Sequence, residues 1–207
     1  MICEIVQLHN PFEMVTGETR KVLGARLLAC LSSIEQACPG LLDQLLRYHY
    51  KDVNDTLFTH CTAKNGMYLL LSGMACNLVY CEEHHSITRF FYPGDFICTP
   101  HTCPTIPGAE VYTKLITSAH LLYIDADALQ QLQTVCPELL LLELDFVKHC
   151  HAYRTYERIR FATLPPKAHF AYLCKHQPML IKHVHKKDIA AYLGVNPSTL
   201  SRWQIDT

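Results

Sequence analysis

Nowhere in the 207 residues does an apolar run approach the roughly 18 residues that a membrane-spanning helix requires, so no membrane span is predicted. The opening stretch, MICEIVQLHNPFEM, has no basic region leading into an apolar one; it does not read as a secretory signal, and the expectation is a cytoplasmic protein. A disulfide framework is missing as well. The 11 cysteines are odd in number and scattered, which in a cytosolic chain predicts reduced thiols packed as small apolar residues. There is no nucleophile–base pairing and no phosphate loop, so no catalytic residue is assigned and the chain is not read as an enzyme. Net charge is nearly absent too, at −1.

What is present is a globular composition, 49% hydrophobic and 18% charged, in a chain long enough for one large domain or two small ones. Its charge is divided unevenly. Residues 1–147 carry 8 Lys+Arg against 16 Asp+Glu, a net −8, whereas residues 148–207 carry 10 against 3, a net +7. An acidic body with a basic C-terminal portion is the electrostatic footprint of a DNA-binding domain, the alternative being a solvated basic face without a partner.

Taken in order, residues from Glu13 to about Tyr50 read as helix, with Val22, Leu23, Leu27, Leu28 and Leu31 on one side and a break at Cys38-Pro39-Gly40. From Thr56 the period changes. Short β-branched and aromatic segments (67–71, 77–80, 86–92, 121–124), separated by Asn65-Gly66, Ser72-Gly73 and Pro93-Gly94-Asp95, predict an antiparallel roll or sandwich. Helix returns after Asp125. Pro137-Glu138 opens a long segment in which Leu139, Leu142, Phe146, His149, Tyr153 and Tyr156 fall three and four apart, a heptad-like seam suited to a dimer helix or to burial against the chain's own β-domain. Leu164-Pro165-Pro166 ends it as a stiff hinge.

The stretch KDIAAYLGVNPSTLSRW, Lys187 to Trp203, then spells two short helices and a turn. Asp188 favours the first helix start through the dipole, Gly194 supplies the left-handed residue that ends it, and Asn196-Pro197 read as N-cap and first residue of the second. Ala190 is small enough for a close helix crossing, while Ile189, Leu193, Val195 and Leu200 fill the junction. These residues at this spacing resemble a DNA-binding helix-turn-helix, and an ordinary αα-hairpin is the other reading.

Roll, long helix, hinge and C-terminal helix-turn-helix, in that order, resemble the Crp/Fnr family of transcription regulators over roughly Thr56 to Trp203. Two segments carry the resemblance: Phe90-Phe91-Tyr92-Pro93-Gly94-Asp95-Phe96-Ile97, preceded by Leu71-Ser72-Gly73, and LPPKAHFAYLCKHQP followed by the motif above. The second is similar to short-tailed members common in Bacteroidetes. The resemblance implies an α+β chain: an antiparallel β-roll (double-stranded β-helix or jelly roll) with flanking helices as sensor over residues 1–133, a dimerisation helix over 134–163 and a DNA-binding domain over 164–207. It also implies a homodimer on a palindromic operator of double-stranded DNA, with RNA polymerase left open as a partner. Arg202 would read a base edge with Ser198, Thr199 and Ser201 beside it, on a recognition helix running from Pro197 to about Ile205, and Lys182, Lys186 and Lys187 would serve phosphates. Only five residues follow Arg202, leaving no room for a β-wing, and weak DNA binding is one expectation.

The family's roll often holds a cyclic nucleotide through a Gly-Glu and Arg-Ser cassette. Here Cys98-Thr99 and Ala109-Glu110 stand at those positions, so the phosphate would meet Glu110 and no arginine, and cAMP binding in that mode is not expected. Only Cys3 precedes Cys30, which gives no support to an Fnr-type iron–sulfur cluster. No cofactor is assigned and the effector stays unknown. Cys98, His101 and Cys103, with Cys81, His84 and His85 as further ligands, are candidates for a metal or thiol-redox site, packing and surface roles being the alternative. His149-Cys150-His151 and His183-Val184-His185 read as surface residues. Two rivals remain. A cupin-type enzyme needs a His-x-His with a downstream Glu and His that no strand supplies, and a β-roll ligand-binding or interaction module would carry a vestigial helix-turn-helix, with metal or redox responsiveness as an option.

Overall fold

The computed structural model describes residues 18–59, 66–81, 84–98 and 108–203. Helix α1 (Glu18–Ala37) buries Leu23, Leu27, Cys30, Leu31 and Ile34 on one face, the three-and-four spacing that turns a helix inward. After the break at Cys38-Pro39-Gly40, α2 (Leu41–Leu45) lasts little more than one turn. Here the expectation of helix to Tyr50 is corrected: Arg47–Lys51 is strand β1, paired antiparallel with residues 119–123. Tertiary pairing decides it, for the Tyr48 hydroxyl hydrogen-bonds the His120 ring and His49 meets Tyr68 and Tyr123 edge-on.

Seven further strands follow: β2 (Thr56–Thr59), β3 (Gly66–Ser72), β4 (Ala75–Cys81), β5 (His84–Phe91), β6 (Phe96–Cys98), β7 (Ala109–Leu115) and β8 (Ala119–Asp125). They form two four-stranded antiparallel sheets, in the orders β1-β8-β3-β6 and β2-β7-β4-β5. Alternation along each strand supplies both faces. Phe58, Leu70, Ala75, Phe91, Ile97, Leu115, Ala119 and Leu121 meet between the sheets. The turn after β5 is tied down from two sides: Asp95 accepts from the Tyr92 N–H at 3.0 Å, and the Gly94 N–H donates to the Leu70 carbonyl at 2.8 Å.

Each sheet's outer face has its own helical cover. Leu69, Leu71, Leu122 and Ile124 of the first pack under α1, α3 (Ala126–Val135) and the start of α4 (Glu138–Thr163). Cys76, Leu78, Ile87 and Phe90 of the second, with Met74 just before β4, pack under the C-terminal helices α5 (Pro166–His176), α6 (Pro178–His183), α7 (Lys186–Tyr192) and α8 (Pro197–Ser201). Helix α4, 26 residues and so about 39 Å long, ends where the proline pair requires: Leu164 and Pro165 are extended and Pro166 opens α5. The fold is the α+β roll with flanking helices that the sequence leads one to expect, and among the described residues no helix is long and apolar enough to cross a membrane.

Candidate nucleic-acid interface

The two short helices near the C-terminus are set by their caps. Gly194, at φ +65°, donates to the Ala191 carbonyl at 3.2 Å, and the Val195 N–H reaches back to the Ala190 carbonyl at 2.9 Å. This reciprocal pair closes the end of α7 and turns the chain sharply. Asn196 then caps α8, its side-chain oxygen accepting from the Ser198 N–H at 2.9 Å and the Ser198 hydroxyl at 2.8 Å, with Pro197 as first helical residue. Ile189, Ala190, Leu193 and Leu200 are buried, Val195 packs beside them, and Gly194 is exposed.

Opposite this core, Ser198, Ser201 and Arg202 are exposed and Thr199 is half-buried, so one outward face holds the residues assigned to base reading. Lys182, at the end of α6, and Lys186 and Lys187, at the start of α7, are all exposed. Helix α8 is shorter than expected. It stops at Ser201, and the Arg202 and Trp203 N–H groups tighten onto the Thr199 and Leu200 carbonyls at 3.2 and 3.1 Å while Trp203 packs on Phe170. The stretch from 204 to Ile205 and beyond lies outside the described residues.

A buried polar knot joins this unit to the end of α4, and no sequence signal pointed to it. Arg160 is 5% and His169 1% exposed; the Arg160 Nη2 donates to the His169 Nε2 at 3.2 Å, and its guanidinium lies 4.1 Å from the Tyr172 ring centre. Arginine has only donors, so Nε2 accepts and the imidazole is neutral. Burial, and then the Arg160 charge, lower the His169 pKa to about 4. Glu157 stands 3.8 Å from Arg160 and accepts from the Tyr192 hydroxyl at 2.9 Å; burial first and this carboxylate second push the Tyr192 pKa up. Tyr192 also meets Phe90 of β5 edge-on, so helix, roll and first motif helix share one side chain.

The seam proposed for α4 needs correction. Leu139 and Leu142 are 6% and 2% exposed, buried in the chain's own core, and Phe146 packs on Phe96 at 4.6 Å between ring centres. His149 and Tyr153 are half-buried and Tyr156 is exposed. The outward apolar residues are instead Leu140, Leu141, Leu144 and Val147, at 49–60% exposure. The segment is apolar all round at its start, and its inner face is taken by the roll and α1.

In the cassette region, Cys98 ends β6 and Ala109 and Glu110 begin β7; Thr99, His101 and Cys103 lie outside the described residues. Alternation from Leu115 points Ala109 inward and Glu110 outward, where it accepts a hydrogen bond from Tyr112 on the side of the C-terminal helices. The repulsion expected from Glu110 therefore does not arise inside the roll; the missing arginine at Ala109 remains. Although Cys98 as a residue is exposed, burial of its thiol and then Cys150 of α4 raise its pKa. Among the described residues no three His, Cys, Asp or Glu side chains gather as a metal site. His151, His183 and His185 are exposed and His149 is half-buried.

No protein-family model matches the chain, and no curated protein matches it either. Solved structures do. A CooA mutant from Carboxydothermus hydrogenoformans superposes with a TM-score of 0.62 at 16% identity, covering 82% of this chain and 79% of that one. A cyclic nucleotide-binding domain containing protein from Listeria monocytogenes gives 0.62 at 14% identity over 84% and 86%. A protein described as a transcriptional regulator of the Crp/Fnr family, from Eubacterium rectale, gives 0.60 at 13% identity over 78% of each chain. With its two-sheet roll, long helix and C-terminal helix-turn-helix, the chain has the cyclic-nucleotide-binding-like fold of the Crp/Fnr family.

Proposed function

We propose that the chain is a transcription regulator that binds double-stranded DNA as a homodimer, and that it is not an enzyme. The observation that carries this reading is the outward face of α8: Ser198, Ser201 and Arg202 stand exposed on a capped helix inside a segment of net charge +7. Arg202 reads a guanine edge through its planar fork, and Lys182, Lys186 and Lys187 contact phosphates and make affinity salt-dependent. The dimer forms through α4 along Leu140, Leu141, Leu144 and Val147, an apolar strip that no described residue covers. Two-fold pairing sets the recognition helices about 34 Å apart, one DNA turn, on a palindromic operator. The roll is the sensor, the working compartment is the cytoplasm, and contact with RNA polymerase follows DNA binding.

Selection from random duplex DNA by gel shift, at low and at moderate salt, tests the proposal. An enriched palindrome, bound more weakly at higher salt, is expected; no enriched sequence even at low salt would overturn it and favour an interaction module.

A further inference from the structure

Inside the roll, one inward row of side chains is polar. Arg89 on β5 is paired in register with Asn77 on β4, and Asn77 with Thr113 on β7, so the three stand side by side across adjacent strands. Phe91, two residues from Arg89, belongs to the inter-sheet core, and alternation turns Arg89 to the same side. Arg89 is 7% and Thr113 0% exposed.

A buried guanidinium is a permanent cation with five donors and requires partners. Among the described residues Arg89 has almost none. Its Nε is sealed from solvent with no hydrogen-bond partner, and among the described residues its guanidinium makes no hydrogen bond or ion pair. Its one described contact is the Phe91 ring, 4.5 Å from the guanidinium carbon to the ring centre. Among the described residues no carboxylate pairs with it. Glu143 on α4, whose charge reaches Cys98 alongside that of Arg89, accepts from Gln133 at 2.6 Å.

The neighbouring pair is oriented to help. Thr113 Oγ1 donates to Asn77 Oδ1 at 2.7 Å, which uses the amide oxygen and leaves the Asn77 amide N–H groups to donate. A fork of cationic donors beside a fixed neutral donor, all facing inward, is a receptor for an oxyanion.

We propose that the roll binds a small organic oxyanion, a carboxylate or a phosphate ester, gripped by Arg89 with Asn77 as second donor and Thr113 as the group that orients Asn77. The proposal rests on the roll being the sensor. It relocates anion recognition from the degenerate cassette to strand β5, and its test needs no DNA, so it fails or stands apart from operator binding.

Thermal unfolding of the full chain is followed while inorganic phosphate, phenyl phosphate, benzoate or neutral benzamide is added, with chloride adjusted to constant ionic strength. For the wild type, Tm is expected to rise with at least one oxyanion and not with benzamide, and the phosphate and carboxylate arms identify the headgroup. Arg89→Met should be at least as stable as wild type in chloride, because an unpaired buried charge has been removed, and should bind the same oxyanion at least tenfold more weakly by calorimetry. Arg89→Lys, which keeps the charge and loses the fork, should fall between. A loss of several degrees in Arg89→Met without oxyanion would show a structural arginine and overturn the proposal. So would a wild-type Tm that no oxyanion raises beyond the response of Arg89→Met.

Discussion

Replacing Gly194 by alanine adds a methyl group that meets no heavy atom within 4 Å, so the substitution isolates the cost of backbone conformation. At φ +65° an L-residue costs about 1–2 kcal/mol, and the stiffer unfolded chain returns about 0.4–1 kcal/mol, leaving a net loss near 1 kcal/mol. Gly73 is the contrast. Its φ is +93°, and an added Cβ would lie 2.5 Å from the Ser118 carbonyl oxygen and 2.8 Å from the Ala119 Cβ, so about 1–3 kcal/mol of overpacking comes on top. Urea unfolding measures both variants: a small fall in midpoint at unchanged slope is expected for Gly194→Ala and a fall at least twice as large for Gly73→Ala. In a gel shift, Gly194→Ala should also weaken operator binding, because the strained turn tilts α8 away from the register that its cap sets. Equal losses for the two variants, or a loss above about 3 kcal/mol for Gly194→Ala, would refute the reasoning.

Three further outcomes follow from the site. Leu144→Glu places a carboxylate in the exposed strip of α4 and should give a monomer by sedimentation, with operator affinity lost and the far-ultraviolet spectrum kept; a persistent dimer would move the interface elsewhere. Arg202→Ala should relax preference at one base pair per half-site at a cost of about 1–3 kcal/mol, whereas uniform weakening across sequences would make it a phosphate contact. His169, with its pKa lowered from 6.5 to about 4, binds its proton more readily in the unfolded chain, so its contribution is present above pH 6.5 and is lost as pH falls from 6.5 toward 4. The loss amounts to at most about 3 kcal/mol and should be absent in His169→Phe when unfolding is measured across that range; an identical pH dependence in the variant would remove His169 as its source.

Legibility in the sequence followed how local the physics was. The motif turn could be read residue by residue because Gly194, Asn196 and Pro197 act on their immediate neighbours, and the structure closes the hydrogen bonds those residues call for. The helix break at Leu164-Pro165-Pro166 was readable for the same reason. Strand β1 was not, since Arg47-Tyr48-His49-Tyr50-Lys51 has no helix-breaking residue and becomes a strand only by pairing with β8. The face of α4 failed through excess of signal: ELLLLELDFV is apolar on every side, and only the presence of the roll and α1 decides that Leu142 points in while Leu144 points out. Arg89 was silent in the sequence because an arginine between strand residues reads as solvent-facing until alternation is fixed by Phe91.

The outer face of β4 and β5 and the helices of the motif are halves of one apolar cluster, with Phe90 against Tyr192 at its centre. Exchanging the C-terminal helices at Leu164-Pro165 would leave Met74, Leu78, Ile87 and Phe90 bare, so an altered Tyr192 is expected to find its compensation not in α8 but on a strand of the roll.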